Sequence, residues 1–244
     1  MKLSGNTILI TGGGSGIGLA FAKALTDRKN IVIICGRNVK MLEKAKEEGS
    51  TSNYFQCDLS SEEDQKKLVE FIQLNYPNTN ILINNAGVQH NYTFDDQKDH
   101  RDLIENEVNI NFTAQVTLTD GLLPILLKQT QSSIVNITSA LAIVPKQSAP
   151  VYCATKAAMR AFSKALRYQL EDSVVNVTEV VPALVETAMT EGRGKGKISP
   201  EEVVIEALAG IESDKEEIRI GKTKILFLLE RFMPSVANGI IRHG

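Results

Sequence analysis

"NTILITGGGSGIGLAFAKALTDR", residues 6–28, decides the architecture. Residues 6–11 are largely β-branched and apolar, as in a strand covered on both faces. Residues 16–28 return apolar side chains every three or four positions, the period of a helix. Between them lies "TGGGSGIG" (11–18). Gly12 suits a tight turn, Gly16 lets a ligand approach the backbone, and Gly18 lets the helix pack close to the sheet. Ser15, Gly16 and Ile17 then open a helix whose first N–H groups have no partner within it and carry a partial positive charge. A glycine string alone is weak evidence. Placed between a strand and a helix, it predicts a cradle for a nucleotide pyrophosphate.

The pattern repeats along the chain. Strands are expected at 31–35, 53–57, 80–87, 133–138 and 174–182, with helices at 39–48, 61–75, about 101–129 and 151–170. Ser61 with acids in the following turn caps the helix of 61–75. Strict alternation of fully apolar strands and helices predicts an α/β fold with a doubly wound parallel sheet. We expect one domain over 1–244. "TEGRGKGKISPEE" (190–202) reads as a loop or a lid, overlapping an expected substrate lid at 187–200, and 223–242 as a helical tail broken at Pro234.

Composition narrows the function classes. Of 244 residues, 43% are hydrophobic and the formal net charge is −2, so nothing points to nucleic acid or a membrane surface. No 18-residue apolar stretch suggests a transmembrane segment, and the first residues lack the pattern of a secretory signal, so a cytoplasmic location is expected. Cys35, Cys57 and Cys153 are odd in number and lack CxxC spacing, which predicts buried free thiols. His90, His100 and His243 lie apart from any acid or thiol cluster, so no metal site is expected and all three read as surface residues.

The end of the second strand reads "CGRN". An acid there would bond the ribose hydroxyl of NAD, whereas Gly36 repels nothing and Arg37 can fork onto a 2′-phosphate. NADP is therefore favoured, with NAD as the alternative. Tyr152 and Lys156, in "VYCATKAAM" (151–159), are one helical turn apart on one face. A free phenol has a pKa of about 10. The lysine's charge is expected to lower it, making Tyr152 a proton carrier near neutral pH.

TGxxxGxG, "NNAG" (84–87), Ser139 after the fifth strand and "YCATK" (152–156) together resemble the short-chain dehydrogenase/reductase family, single-domain branch. "VIICGRN", "EVNINFTAQVTL" and "EIRIGKTKILFLLERFMP" are similar to DltE-type members. The resemblance implies a Rossmann-type sheet of about seven strands in the order 3-2-1-4-5-6-7. It also implies hydride transfer between a nicotinamide and a carbonyl or secondary alcohol. Tyr152 would exchange the proton, and Ser139 would hold the reacting oxygen. Lys156 would tune Tyr152 and bond the nicotinamide ribose. Asn111, with Asn109 as the alternative, would anchor a water that relays protons to Lys156.

The same resemblance assigns Asp58 and Leu59 to the adenine, and Asn85, Ala86 and Gly87 to the adenosine ribose. Pro182, Val185 and Thr187 would clamp the carboxamide and phosphates, with Ala183 where the family usually has Gly. The partners implied are a small carbonyl or alcohol substrate and further copies of the chain, as a homodimer or homotetramer built on the helices near 101–129 and 151–170. Two other readings remain: a non-catalytic NADP-binding regulator, and a cell-envelope accessory protein of DltE type.

Overall fold

The computed structural model describes residues 1–242; His243 lies outside them. Seven parallel strands form one sheet. They are β1 (Thr7–Thr11), β2 (Ile31–Gly36), β3 (Asn53–Gln56), β4 (Thr79–Asn84), β5 (Ser132–Ile137), β6 (Val175–Val181) and β7 (Glu217–Arg219). Their spatial order, β3-β2-β1-β4-β5-β6-β7, is the one expected. The helices are α1 (Gly16–Asp27), α2 (Val39–Glu47), α3 (Glu62–Asn75), α4 (Arg101–Val108), α5 (Ala114–Leu126), α6 (Pro150–Gln169), α7 (Pro200–Glu212), α8 (Thr223–Phe232) and α9 (Pro234–Ile241).

Strand alternation sorts the apolar side chains into two cores. Ile8, Ile10, Val32, Ile34, Ile81 and Ile83 share one core with Phe21 and Leu25 of α1 and Val203, Val204 and Leu208 of α7. Leu9, Ile33, Leu82 and Ile134 point the other way, onto Leu68 and Ile72 of α3, Leu118 and Leu122 of α5, and Leu166 of α6. Each fully buried Leu or Ile contributes about 1.5–3 kcal/mol relative to exposure. Strands covered this way show no polar alternation, and that is why the parallel sheet was legible.

Three features depart from the expected pattern. The long helix expected at 101–129 is two helices joined by a π-helical turn, Asn109–Thr113. The extra residue in that turn sits beside Asn111, whose amide bonds the backbone of Val88. Helix α7 begins inside the segment expected to be loop: Ser199 accepts from the Glu202 N–H, Glu202 bonds back to the Ser199 N–H, and Pro200 takes the first turn. Strand β7 is only three residues long, too short to announce itself.

Expectations for the α3 cap, the tail and the cysteines hold. Ser61 caps α3, the tail breaks at Pro234, and all three cysteines are free and buried. His100, however, is not at the surface. It is 8% exposed, stacks on Tyr92 at 4.5 Å and bonds Asp96, because an aromatic pair needs its flat face. Among the described residues, no helix is long and apolar enough to cross a membrane, and no cluster of metal-ligating side chains occurs.

Candidate active site

β1 and β4 lie side by side, and the chain leaves them in opposite directions along the sheet. Clefts form at the carboxyl ends of strands where the order reverses in this way. A cavity of about 860 Å³ opens there, within the range of small-ligand sites.

Its floor is the glycine turn. Gly12 has φ +64°, and a Cβ on it would come within 2.9 Å of the Ala86 backbone. Gly16 has φ +53° and faces Thr187, so both positions require glycine. A Cβ on Gly18 would collide with the Gly12 carbonyl, which is the close helix–strand contact expected of it. Ser15 makes no side-chain cap to α1, so the first N–H groups of that helix are not taken by its hydroxyl. Ser15, Gly16 and Ile17 line the cavity, while Gly18 lies behind it.

A hydrogen-bond network fixes the second turn against the first. The Thr11 hydroxyl accepts from the N–H groups of Asn85 (2.9 Å) and Ala86 (3.0 Å). The Asn85 amide donates to the Thr11 carbonyl at 2.9 Å, and Gln115 donates to the Ala86 carbonyl at 3.2 Å. Asn85, Ala86 and Gly87 all line the cavity. Thr11 and Gln115 escaped the sequence reading, since a lone Thr and a helical Gln carry no signal by themselves.

Beside the ends of β2 and β3, Gly36, Arg37 and Leu59 line the cavity. Arg37 is exposed and, among the described residues, has no ion-pair partner. Asp58 is not brought to the cleft. Its carboxylate is engaged by the N–H and hydroxyl of Ser60, and the lining comes instead from Cys57 and Leu59.

At the other end Ser139, Tyr152 and Lys156 face the same space. Ser139 caps a short 3-10 turn, Ala140–Ala142, accepting from the Leu141 N–H at 3.1 Å. Tyr152 is 8% and Lys156 5% exposed, and the ammonium lies 5.8 Å from the phenol ring centre. Lys156 donates to the Ile137 carbonyl at 2.9 Å. Burial lowers its pKa from 10.5 to about 8. The phenol behaves opposite to expectation. Burial pushes Tyr152 up to about 12, and the Ser139 hydroxyl pulls it back only in part. Removing a phenolate from water costs more here than the hydrogen bond from Ser139 returns. Burial therefore holds Tyr152 in its protonated form at neutral pH.

Asn111 sits in the π-helical turn. Its Oδ1 accepts from the Val88 N–H at 2.7 Å, and its Nδ2 donates to the Val88 carbonyl at 2.8 Å and to Thr155 at 3.2 Å. Its Oδ1 and the Lys156 ammonium both flank Gly87, 3.3 and 3.5 Å from where a Cβ would stand. Asn109, the alternative, begins that turn but has no such contact in the cleft. Glu107, not singled out from the sequence, holds the next part of the loop. Its buried carboxylate accepts from the His90 N–H at 2.7 Å. Pro182, Val185 and Thr187 line the roof, and Ala183 has no positive φ, so the turn tolerates its methyl group.

A glycine turn at the switch point and a Ser–Tyr–Lys cluster beside it define the class: a Rossmann-type protein with an oxidoreductase-like cleft. The family model described as short chain dehydrogenase matches residues 6–197, and the chain belongs to that family of oxidoreductases. It is 41% identical over 224 residues to the "Uncharacterized oxidoreductase DltE" of Bacillus subtilis, covering 89% of each chain. A short-chain dehydrogenase from Sphingobium yanoikuyae, solved in complex with NADPH, superposes with a TM-score of 0.80 at 25% identity, covering 96% of this chain and 94% of that one. A Burkholderia cenocepacia short chain dehydrogenase solved with NADP shares the fold, with a TM-score of 0.86 at 22% identity over 99% of both chains.

Proposed function

We propose that this protein is an NADP-dependent carbonyl reductase, acting reversibly on secondary alcohols. The observation that carries this reading is the convergence of Ser139, Tyr152 and Lys156 on a cavity floored by the glycine turn. The residues fit a dinucleotide. The turn excludes side chains where a pyrophosphate needs backbone, and the start of α1 offers N–H groups to it. When bound, the nicotinamide supplies or accepts the hydride. The chain's own residues do the rest.

Ser139 donates to the carbonyl oxygen and fixes its position. Tyr152, protonated because it is buried, delivers its proton to that oxygen as charge develops on it. Lys156, charged below about pH 8, offers its ammonium to the ribose and stabilises the phenolate left behind. Asn111 fixes Val88 and Thr155 around Lys156 and anchors the route by which Tyr152 is reprotonated. Arg37, exposed at the end of β2 and without an ion-pair partner among the described residues, favours NADP over NAD by pairing with the 2′-phosphate.

The chain acts as one domain. The segment 187–200 closes the roof, and the exposed Val108 and Tyr168 on α4 and α6 support assembly into two or four copies. The test is NADPH consumption against a panel of ketones, with NADPH and NADH affinities measured by fluorescence. Turnover and tighter NADPH binding are expected. A protein that binds NADPH but turns over no ketone or alcohol would instead be a nucleotide-responsive regulator.

A further inference from the structure

The cleft is unlike the rest of the surface in its charge. The chain is net −2, yet the cavity is lined by Arg37, Lys146, Lys156, Arg193, Lys195 and Lys222 and by no Asp or Glu. Two of these cations are accounted for above: Arg37 lies at the adenine end, and Lys156 is bonded to Ile137. Lys195 and Lys222 are exposed, and Lys146 is half-buried with no unpartnered nitrogen out of solvent. Lys197, their neighbour, donates to the Thr190 carbonyl at 2.6 Å and does not line the cleft.

Arg193 differs from all of them. Its Nη1 is out of solvent and has no hydrogen-bond partner, and no ion pair holds the guanidinium among the described residues. A buried guanidinium nitrogen without an acceptor is costly to leave in that state. The loop around it is shaped rather than slack. Gly192, Gly194 and Gly196 have φ of +71°, +59° and +70°, and a Cβ on Gly194 would collide with Leu184. The Arg193 N–H donates to the Thr190 carbonyl at 3.0 Å, and the Ile198 N–H to the Leu184 carbonyl at 3.0 Å. This backbone places Arg193 in the lining of the same cavity as Tyr152 and Ser139. The same cavity has an apolar lining from Leu141 and, from the tail, Ile225, Leu226, Leu229 and Ile240.

We propose that Arg193 receives a carboxylate or phosphate on the substrate, so that the preferred substrates are carbonyl compounds with an apolar body and an anionic group. This rests on the reading of Tyr152 and Ser139 as the reaction centre. The anion meets the guanidinium in a charge-assisted fork, and the apolar body lies along the helices of the tail. A cofactor phosphate is the other anion the cleft admits, so the experiment separates the two.

The probes are aryl oxo acids with zero to three methylenes between ketone and carboxylate, each paired with its methyl ester. With saturating NADPH, the wild type should favour the acid over the ester in kcat/KM by about tenfold to a hundredfold at the best spacing, the worth of one charge-assisted contact. Arg193→Gln should erase that preference by raising KM for the acid, leave the ester's kinetics within about twofold, and leave NADPH affinity unchanged; Arg193→Lys should recover part of it. Equal treatment of acid and ester at every spacing overturns the proposal. So does a loss of NADPH affinity in Arg193→Gln, which assigns the guanidinium to the cofactor. Calorimetric binding of 4-phenylbutanoate to the NADP-loaded protein needs no turnover. Binding that depends on Arg193 supports the subsite even if the protein reduces nothing, and absence of Arg193-dependent binding overturns it even if ketones are turned over.

Discussion

The two ends of the cleft are built from different materials. The end between β1 and α1 is made of backbone: glycines at φ +64° and +53°, a carbonyl against Gly18, N–H groups at a helix start. The end between β5 and the tail is made of side chains: a phenol, an ammonium, a hydroxyl, a guanidinium and aliphatic groups from α8 and α9. Backbone sites accept whatever has the right shape and charge, and they depend on what is absent from each residue. Side-chain sites depend on what each residue carries. Substitutions at the first end should therefore remove binding and stability together. Substitutions at the second should remove chemistry or selectivity while leaving binding in place.

The largest effect tests that separation directly. Tyr152→Phe should lower kcat by about a hundredfold to ten-thousandfold, the range of a general acid, with NADPH affinity within about twofold of wild type. Turnover surviving at a tenth of its original rate would remove Tyr152 from proton transfer and leave Ser139 to be examined in its place. At the opposite end, Gly18→Ala pushes a methyl group into the Gly12 carbonyl. Overpacking of this kind costs about 1–3 kcal/mol. Denaturant unfolding should show that loss, and NADPH affinity should fall with it. A stable Gly18→Ala protein with unchanged affinity would mean that the helix can retreat from the turn.

The contrast also explains what could be read in the sequence. A backbone site imposes glycine at fixed spacing, so "TGGGSGIG" gave away the turn, the strand before it and the helix after it. The parallel sheet was legible because Ile8, Leu9 and Ile10 bury on alternating faces and leave no polar position. Tyr152 and Lys156 were legible through their spacing on one helix. Their pKa values were not, because the sign is set by burial that only the tertiary structure supplies. The π-helical turn at Asn109–Thr113 was hidden because the contact it presents, Asn111 with Val88, spans 23 residues. Helix α7 was legible and missed: Ser199, Pro200 and Glu202 form a capping box with proline in the first turn, inside a segment whose glycines suggested only loop.

The buried ammonium gives the second end a pH signature that the first end lacks. Lys156 titrates at about 8 in the folded protein and near 10.5 when unfolded. Between those values the unfolded chain binds more protons, so stability should rise with pH from about 8 toward 10.5. Tyr152 works the other way, its pKa raised from 10.0 to about 12, so it should reduce stability above pH 10. Activity should decline as Lys156 loses its proton, with an apparent pKa near 8, and Lys156→Met should remove that limb of the profile while lowering activity throughout. A profile flat from pH 7 to 10 in the wild type would mean that the ammonium is not needed in charged form.

The smallest effect concerns the roof, where both materials meet. Ala183 occupies the position after Pro182 and has no positive φ, and its methyl group stands 3.6 Å from where a Cβ on Gly221 would be. A glycine there gains no conformation the fold requires and widens the unfolded ensemble. Ala183→Gly should therefore destabilise the protein by about 0.4–1 kcal/mol, with kcat unchanged. If the variant were instead more stable, the alanine would be strained in this turn. The roof would then belong with the glycine floor, as backbone held in shape for the ligand, rather than with the side-chain wall beside it.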